Sequence, residues 1–486
     1  MPPTRADLRS RLDGLELDDF LALCQDHFNS VHAKFAPGMT RDQQTSLLID
    51  HVFRNEKVSE LERLLSPTDG KAGGVPRQIP SPPADFVGRA DELAAQPGGV
   101  AISALSGQGG IGKTALALKL AERLAAGHPD GQLFFDLGGY SGQPRPWQDA
   151  ASHVVRTFTS PDYRVPDDDA LQQNYCDVLA GKRVLLLLDN ARDAAHVKPL
   201  LPPAGVTLLV TSRRRLTLPG LRLYDLDTLP QTDAVTLLRS LAGRLTEAEA
   251  GELAKECGRL PLALRLTGSL LAVREDLSPA RYLERLRAGR LAELDAAAAL
   301  TEADVTLTQT IRLSEEYMLE PVRTRWRELA VLVERFALSW AAGVWSVDER
   351  TAEDWLGLLR INSVLDWDDA TKTYRLHDLV RDYGRDKMPE PEWMEAARRH
   401  AHYFVAETEE TLKLYSRGGG ALLEGLQRFY RAWPQLHAAF EWARARTEDR
   451  DAQQVCVDLP GWVVHLLETY PAALAPATPF RLLSLT

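Results

Sequence analysis

The sequence predicts a multidomain chain that is mostly α-helical, with one α/β domain, and three observations carry that reading. Residues 107–114 read Gly-Gln-Gly-Gly-Ile-Gly-Lys-Thr and directly follow the apolar run Val100-Ala-Ile-Ser-Ala-Leu105. Between Phe86 and Asp227, continuous apolar runs alternate with helical patterns, as in a parallel sheet covered on both faces. On both sides of that region, apolar residues recur at the three- and four-residue spacing of helices. A chain of 486 residues has room for several domains of about 100–200 residues each.

Taken in order, residues 1–65 read as a small helical bundle. Phe20, Leu23, Cys24, His27 and Phe28 share one helical face, as do Leu47, Leu48 and Val52, and Leu61, Leu64 and Leu65 close the last helix. Phe35-Ala-Pro-Gly-Met39 is a turn, and Thr40 or Asp42 can cap the helix after it. Residues 66–85 are rich in Pro and Gly and read as a tether. Residues 86–227 form the α/β domain, with strands expected at 100–105, 132–136, 183–188 and 206–211. Residues 228–300 are helical, with Leu237, Leu238, Leu241 and Leu245 in one stripe. Residues 301–388 begin helical and end in a hairpin, Val364–Trp367 and Tyr374–Leu376, an order that suggests a winged helix. Residues 389–486 are helical again, with Trp433, Leu436, Phe440 and Trp442 as core.

Composition narrows the function class. Hydrophobic residues make up 44%, ordinary for a globular protein. A net charge of −11 argues against a general nucleic-acid binder. The cysteines, Cys24, Cys176, Cys257 and Cys456, lack metal or disulfide spacing and read as thiols of a reducing compartment. The first residues carry no apolar signal core, and no run is long enough for a membrane span. The expectation is a cytoplasmic protein without a membrane partner.

The chemistry concentrates around the glycine loop. Gly107, Gly109, Gly110 and Gly112, with Ile111 among them, let backbone N–H groups turn inward around a phosphate. Lys113 can reach the β- and γ-phosphates, and the Thr114 hydroxyl can ligate Mg²⁺. The helix that starts there adds its positive dipole end. Arg183-Val-Leu-Leu-Leu-Leu-Asp189 is a buried strand ending in an acid, and at the carboxyl edge of a parallel sheet Asp189 faces the loop and can hold Mg²⁺. Asn190 follows it. Many ATPases place an acid near here to activate water, and an amide cannot take a proton, so rapid hydrolysis is not expected and the chain is at most a slow ATPase. The strand 206–211 leads into Ser212-Arg213, where an arginine can sense a γ-phosphate.

The order of these motifs resembles the NB-ARC module of the STAND class of signalling ATPases. Val87, Gly88 and Arg89 of Phe86-Val-Gly-Arg89, followed by Glu92, resemble the segment that packs on adenine. Gly107–Thr114 resembles the Walker A loop, Leu185–Asp189 the Walker B strand, and Thr211-Ser-Arg213 the arginine sensor. Gly258-Arg-Leu-Pro-Leu-Ala263 resembles the family's Gly-Leu-Pro-Leu-Ala motif, which implies that Pro261 touches the base. Leu376-His377-Asp378 resembles the Met-His-Asp motif of the winged helix, which implies that His377 meets the β-phosphate of ADP. The resemblance spans about residues 86–388 and departs from the family at Asn190 and Leu376.

Residues 1–65 resemble bacterial effector-associated, death-like domains through Phe20–Phe28 and Phe35–Gln43. Trp433–Phe440 resembles the helical lead into tetratricopeptide repeats, with a full repeat sensor expected to be truncated or supplied by another chain. Together these resemblances imply an ADP/ATP-gated switch, with Mg²⁺, that self-associates and recruits an effector carrying a similar death-like domain, in bacterial defence or regulated death. An NB-ARC-type transcriptional regulator is the alternative. Against direct DNA reading, the helix Thr351–Arg360 before the hairpin carries Glu353 and Asp354, where a groove reader needs basic and amide groups. Nucleic acid is therefore not expected as a partner.

Overall fold

The computed structural model describes residues 8, 9, 12, 20, 24, 28, 31 and 35, then 39–54, 75–94, 102–139, 144–159, 167–218, 220, 222–296, 301–369, 371–417 and 419–468. It divides into two compact units, Met1–Gly74 and Val75–Thr486.

In the first unit, helix α1 (Arg41–Arg54) buries Leu48, Ile49 and Val52 against Leu8, Leu12, Phe20, Cys24, Phe28 and Val31. Phe20 stacks on Phe35 with ring centroids 6.2 Å apart, and the Arg41 guanidinium lies over the Phe20 ring at 3.5 Å. Phe20, Cys24 and Phe28 thus share a core with Leu48 and Val52, as their spacing predicts. Leu23, His27, Leu61, Leu64, Leu65 and residues 66–74 of the tether lie outside the described residues.

The second unit begins on the sheet rather than in a tether. Pro76 and Gln78 bond to Gln132 through backbone groups at 2.7 Å, so the 66–85 stretch is docked from Pro76 onward. Proline content suggested freedom. It is instead compatible with an edge segment, where a missing N–H faces away from the ladder.

The sheet contains β1 (Ile102–Ser106), β2 (Gly131–Asp136), β3 (Val184–Ala191), β4 (Thr207–Ser212) and β5 (Arg222–Asp225), all parallel, in the order β2-β3-β4-β1-β5. Four of these match the predicted strands; β5, short and half-exposed, does not announce itself in apolar pattern. Alternation explains the burial on both faces. Leu185 and Leu187 pack on one side with helix α3 (Lys113–Leu124), against which Leu93 of the short helix α2 (Ala90–Ala94) also lies. Leu186 and Leu188 pack with helices α4 (Trp147–Phe158) and α5 (Asp168–Leu179) on the other.

After β5 the α-helices are α6 (Gln231–Leu241), α7 (Glu247–Glu256), α8 (Pro261–Val273), α9 (Pro279–Ala296), α10 (Glu302–Glu316), α11 (Glu320–Glu328), α12 (Leu338–Trp345), α13 (Glu349–Ile361), α14 (Asp378–Lys387), α15 (Glu390–Tyr415), α16 (Gly419–Arg444) and α17 (Arg450–Glu468). Thr246 and Thr301 start α7 and α10 with capping boxes. The predicted hairpin is present as β7 (Leu365–Asp368) and β8 (Thr373–Leu376), and a further strand, β6 (Arg335–Phe336), pairs with β8 to make a three-stranded antiparallel sheet. One contiguous apolar core runs through all three stretches that the sequence separates at residues 300 and 388. Leu436 and Phe440 are buried in it, and Trp433 and Trp442 pack at its margin.

Arg265 on α8 fastens three parts of this unit. Its Nε donates to Asp85 at 2.8 Å, ahead of the Phe86–Arg89 segment, and a terminal nitrogen donates to Asp366 of β7 at 3.0 Å. Arg265→Met keeps the volume of the stem and leaves both carboxylates without that cation. The expected loss is roughly 1.5–3 kcal/mol, the range for hydrogen bonds to charged groups. Urea unfolding of the variant beside wild type checks it, and a shift under a few tenths of that range would be the wrong outcome.

Candidate functional site

The glycine loop leaves the carboxyl end of β1, which lies between β4 and β5, and enters α3. Gly107, Gly110 and Gly112 all have positive φ, and Gly112 is the residue ahead of α3. At Gly110 both conformation and space demand glycine: φ is 74°, and a Cβ would lie 3.1 Å from Leu307 and 3.5 Å from Leu262. Lys113 is 8% exposed, and its ammonium donates to the carbonyls of Gly107 at 2.8 Å and Gln108 at 2.7 Å. Burial, then the Arg213 charge, lowers its pKa to about 8, against the pull of Asp189 and Asp378.

Asp189 is 0% exposed and is the centre of the site. Its Oδ1 accepts from Thr114 at 2.8 Å and from the Thr211 hydroxyl; its Oδ2 accepts from Thr114 at 3.1 Å and from Arg375 at 3.3 Å. Asp189 and Thr114, expected together around a metal, are therefore adjacent. A hydroxyl and a carboxylate are the hard oxygen donors that suit Mg²⁺. No group of three or more His, Cys, Asp or Glu that could hold a metal occurs among the described residues, so these two can supply only part of a coordination shell. Phosphate oxygens and water complete such a shell in nucleotide sites.

The other expected residues converge on the same loop from outside the sheet. Arg89, 5% exposed with φ 61°, donates to the Ile111 carbonyl at 2.9 Å and pairs with Glu92 at 2.9 Å. Val87 packs on the helical core, and the space beside Gly88 is filled by Asp233 of α6. Pro261 opens α8, 3.5 Å from the Cβ position of Gly112, and the next residue, Leu262, donates its N–H to the Gly110 carbonyl at 3.3 Å. The Leu379 side chain lies 2.6 Å from where a Cβ on Gly109 would stand, so α14 touches the loop directly.

His377 caps α14: its Nδ1 accepts from the Leu379 N–H at 3.3 Å. A ring that accepts at Nδ1 carries its proton on Nε2, so the neutral ring keeps one donor for another group. Burial holds its pKa down to about 4, with Asp378 opposing and Arg375 and Arg213 assisting. Burial also disfavours the Asp378 carboxylate, and Arg381, Arg375, His377 and Arg213 together outweigh it, so its pKa is lowered. Arg213 thus belongs to one electrostatic cluster with Lys113, His377 and Asp378, as its place after β4 implies.

Two groups at the centre of this site escaped the sequence reading. Arg375 stands in β8, two residues before His377, and bonds to Asp189. Asp136 ends β2 in register with Asp189 and is buried. It accepts from the Asn190 amide at 3.1 and 3.3 Å. Burial first, then Asp189 and Glu334, pushes its pKa up to about 7. A strand-ending acid was the available signal at Asp136, as at Asp189. Arg375 carried no such signal.

His377 gives a pH signature with a definite sign. Its folded pKa of about 4 lies below the ordinary 6.5, so its contribution to stability is full above pH 6.5 and is lost as pH falls toward 4. Asp136 acts oppositely: its contribution is full below 3.8 and is lost as pH rises toward 7. The difference in unfolding free energy between wild type and His377→Asn cancels Asp136 and should climb from pH 4 to 6.5, then level off. Denaturant melts at stepped pH measure it; a difference flat across that window would be incompatible with a neutral, buried ring.

No family model matches the chain. Regulatory protein AfsR of Streptomyces coelicolor is 35% identical over 386 residues, covering 72% of this chain and 38% of that protein. A putative disease resistance protein of Arabidopsis thaliana is 27% identical over 191 residues, covering 36% of this chain and 21% of that protein. Among solved structures, a STAND protein with a tetratricopeptide repeat sensor from Pyrococcus horikoshii aligns with a TM-score of 0.48 at 15% identity, over 84% of this chain and 61% of that one. The chain spans about two fifths of the length of the AfsR relatives it matches. No helix among the described residues is long and apolar enough to cross a membrane. With the ordered motifs at one loop and these relatives in sequence, the chain belongs to the NB-ARC/STAND class of P-loop NTPases.

Proposed function

We propose that this chain is a nucleotide-gated switch whose resting form is held closed around ADP. The observation that carries the reading is the covering of one glycine loop by three separate helices: Leu262 of α8 and Leu307 of α10 against Gly110, and Leu379 of α14 against Gly109. A change at the loop is then felt by every element that must move in a switch.

In this reading Lys113 and the loop N–H groups hold the phosphates, and Pro261 and the Val87–Arg89 segment flank the base. The Nε2–H of His377 donates to the β-phosphate. Thr114 and Asp189 hold Mg²⁺ when ATP is bound, and Arg213 senses the γ-phosphate. Bound nucleotide supplies negative charge that differs between its di- and triphosphate forms. Exchange releases the 301–388 segment, which we read as a winged helix. The open form self-associates, and residues 1–65, read as a death-like domain, recruit an effector with a similar domain, in defence or regulated death. Hydrolysis is slow because Asn190 is turned to Asp136 and is no base.

A second reading has support of equal weight: similarity over most of this chain to a regulatory protein, and to a putative HTH-type transcriptional regulator of Mycobacterium bovis, favours a regulator of transcription, acting on DNA directly or through a partner. The charge argument against nucleic acid does not exclude it. The two readings part on one measurement, whether ATP-loaded protein retards duplex DNA or assembles without it.

The switch reading is tested on the purified 486-residue chain. Wild type should carry ADP after purification. Lys113→Ala should lose affinity for ADP and ATP alike, because the ammonium is the loop's own cation. His377→Ala should weaken ADP retention by roughly 1.5–3 kcal/mol, the worth of a hydrogen bond to a charged group. Calorimetry that finds both variants equal to wild type would end the proposal.

A further inference from the structure

The closed form has already filled the place of a cation at Asp189. Arg375 reaches that carboxylate from β8 with its side chain only 12% exposed, and it is the cation paired with Asp189 among the described residues. Four acids surround the guanidinium: Asp189, Asp378, Asp136 and Asp366 all favour its charge. Asp189 itself has no exposed surface, and its two oxygens are shared among Thr114, Thr211 and Arg375. The Thr114 hydroxyl, the other half of a Mg²⁺ site, is spent as a donor to the same carboxylate. A divalent ion held by Thr114 and Asp189 would have to take over oxygens now bonded to these donors, beside a fixed guanidinium whose charge repels it.

We propose that Arg375 is an internal substitute for the divalent cation. The closed form then binds nucleoside diphosphate without metal, and Mg²⁺ competes with Arg375 for Asp189. The inference rests on the nucleotide-switch reading and adds to it which residue couples metal to opening. The coupling has a short path. Arg375, His377 and Leu379 occupy alternate positions in one short stretch: Arg375 bonds to Asp189, His377 lies in the field of Arg213, and Leu379 covers Gly109. Withdrawing Arg375 from Asp189 therefore draws on the contact of Leu379 with the loop. By linkage, whatever metal does to this contact, the contact does to metal affinity.

The test uses the full chain, a fluorescent ADP analogue, and Mn²⁺ as a paramagnetic substitute for Mg²⁺. In wild type, ADP affinity in EDTA should equal or exceed that in saturating Mg²⁺, and ADP-loaded protein should bind no Mn²⁺ by electron paramagnetic resonance. In Arg375→Gln, Mg²⁺ should tighten ADP binding by roughly tenfold, inside the 5–150-fold range of coupled sites, and ADP-loaded protein should take up Mn²⁺. Arg375→Lys keeps the charge and should stay closer to wild type, and it serves if the Gln variant does not fold. Wild type that already binds ADP more tightly with Mg²⁺, together with Mn²⁺, overturns the role of Arg375 and leaves the switch reading standing. Equal metal dependence in wild type and both variants does the same. Wild type that binds no ADP in either condition overturns both.

Discussion

A carboxylate with no exposed surface must be surrounded by donors or cations, because an unpaired buried charge costs several kcal/mol. At Asp189 that requirement is met from three directions: Thr114 from the first turn after the glycine loop, Thr211 from the neighbouring strand, and Arg375 from a separate three-stranded sheet. The demand of one side chain thereby joins the nucleotide domain to the segment that carries His377. The backbone supports it: Asn190, at φ 57°, gives its N–H to the same Thr211 hydroxyl that serves Asp189.

Around this centre the polar ties are graded. Arg265 joins α8 to the segment before Val87 and to β7. Arg145, ahead of α4, pairs with Glu334 at 2.9 Å, beside β6. The Arg145–Glu334 pair crosses between two separate apolar clusters, whereas the Arg265 ties lie along a single one. Most of their groups keep some contact with solvent, which lowers the cost of parting them. Asp189 has no such outlet, and this distinguishes the pair with Arg375 from the rest.

Histidines extend the same logic. His400 is buried with its ring nitrogen 3.0 Å from Gln435, and Gln435 bonds in turn to the backbone of Val333. Burial lowers the His400 pKa to about 4, as it does that of His377. His400 and Gln435 are thus tied to Val333 by neutral groups, and Asp189 to Arg375 by charged ones. Ionic conditions act on the second set and much less on the first.

What the sequence by itself determined is local. A glycine run between an apolar strand and a helix has one common use, and period-two and period-3.6 patterns placed the four longer strands, the hairpin and the core positions Phe20, Leu48, Leu436 and Phe440. The family motifs could be read because each is a short contiguous string whose chemistry is complete in itself. Tertiary structure decided the pairings. Arg375 is one arginine in a β-strand until the fold sets it against Asp189, 186 positions earlier. Asp136 is an ordinary strand-ending acid until strand order places β2 beside β3. The proline-rich segment from Pro76 looks like a tether until an edge strand gives Pro76 and Gln78 backbone partners. Single-residue spacing carries no information about contacts closed by crossover connections. Those are set by which apolar faces bury each other, and a stripe on one helix does not name its partner.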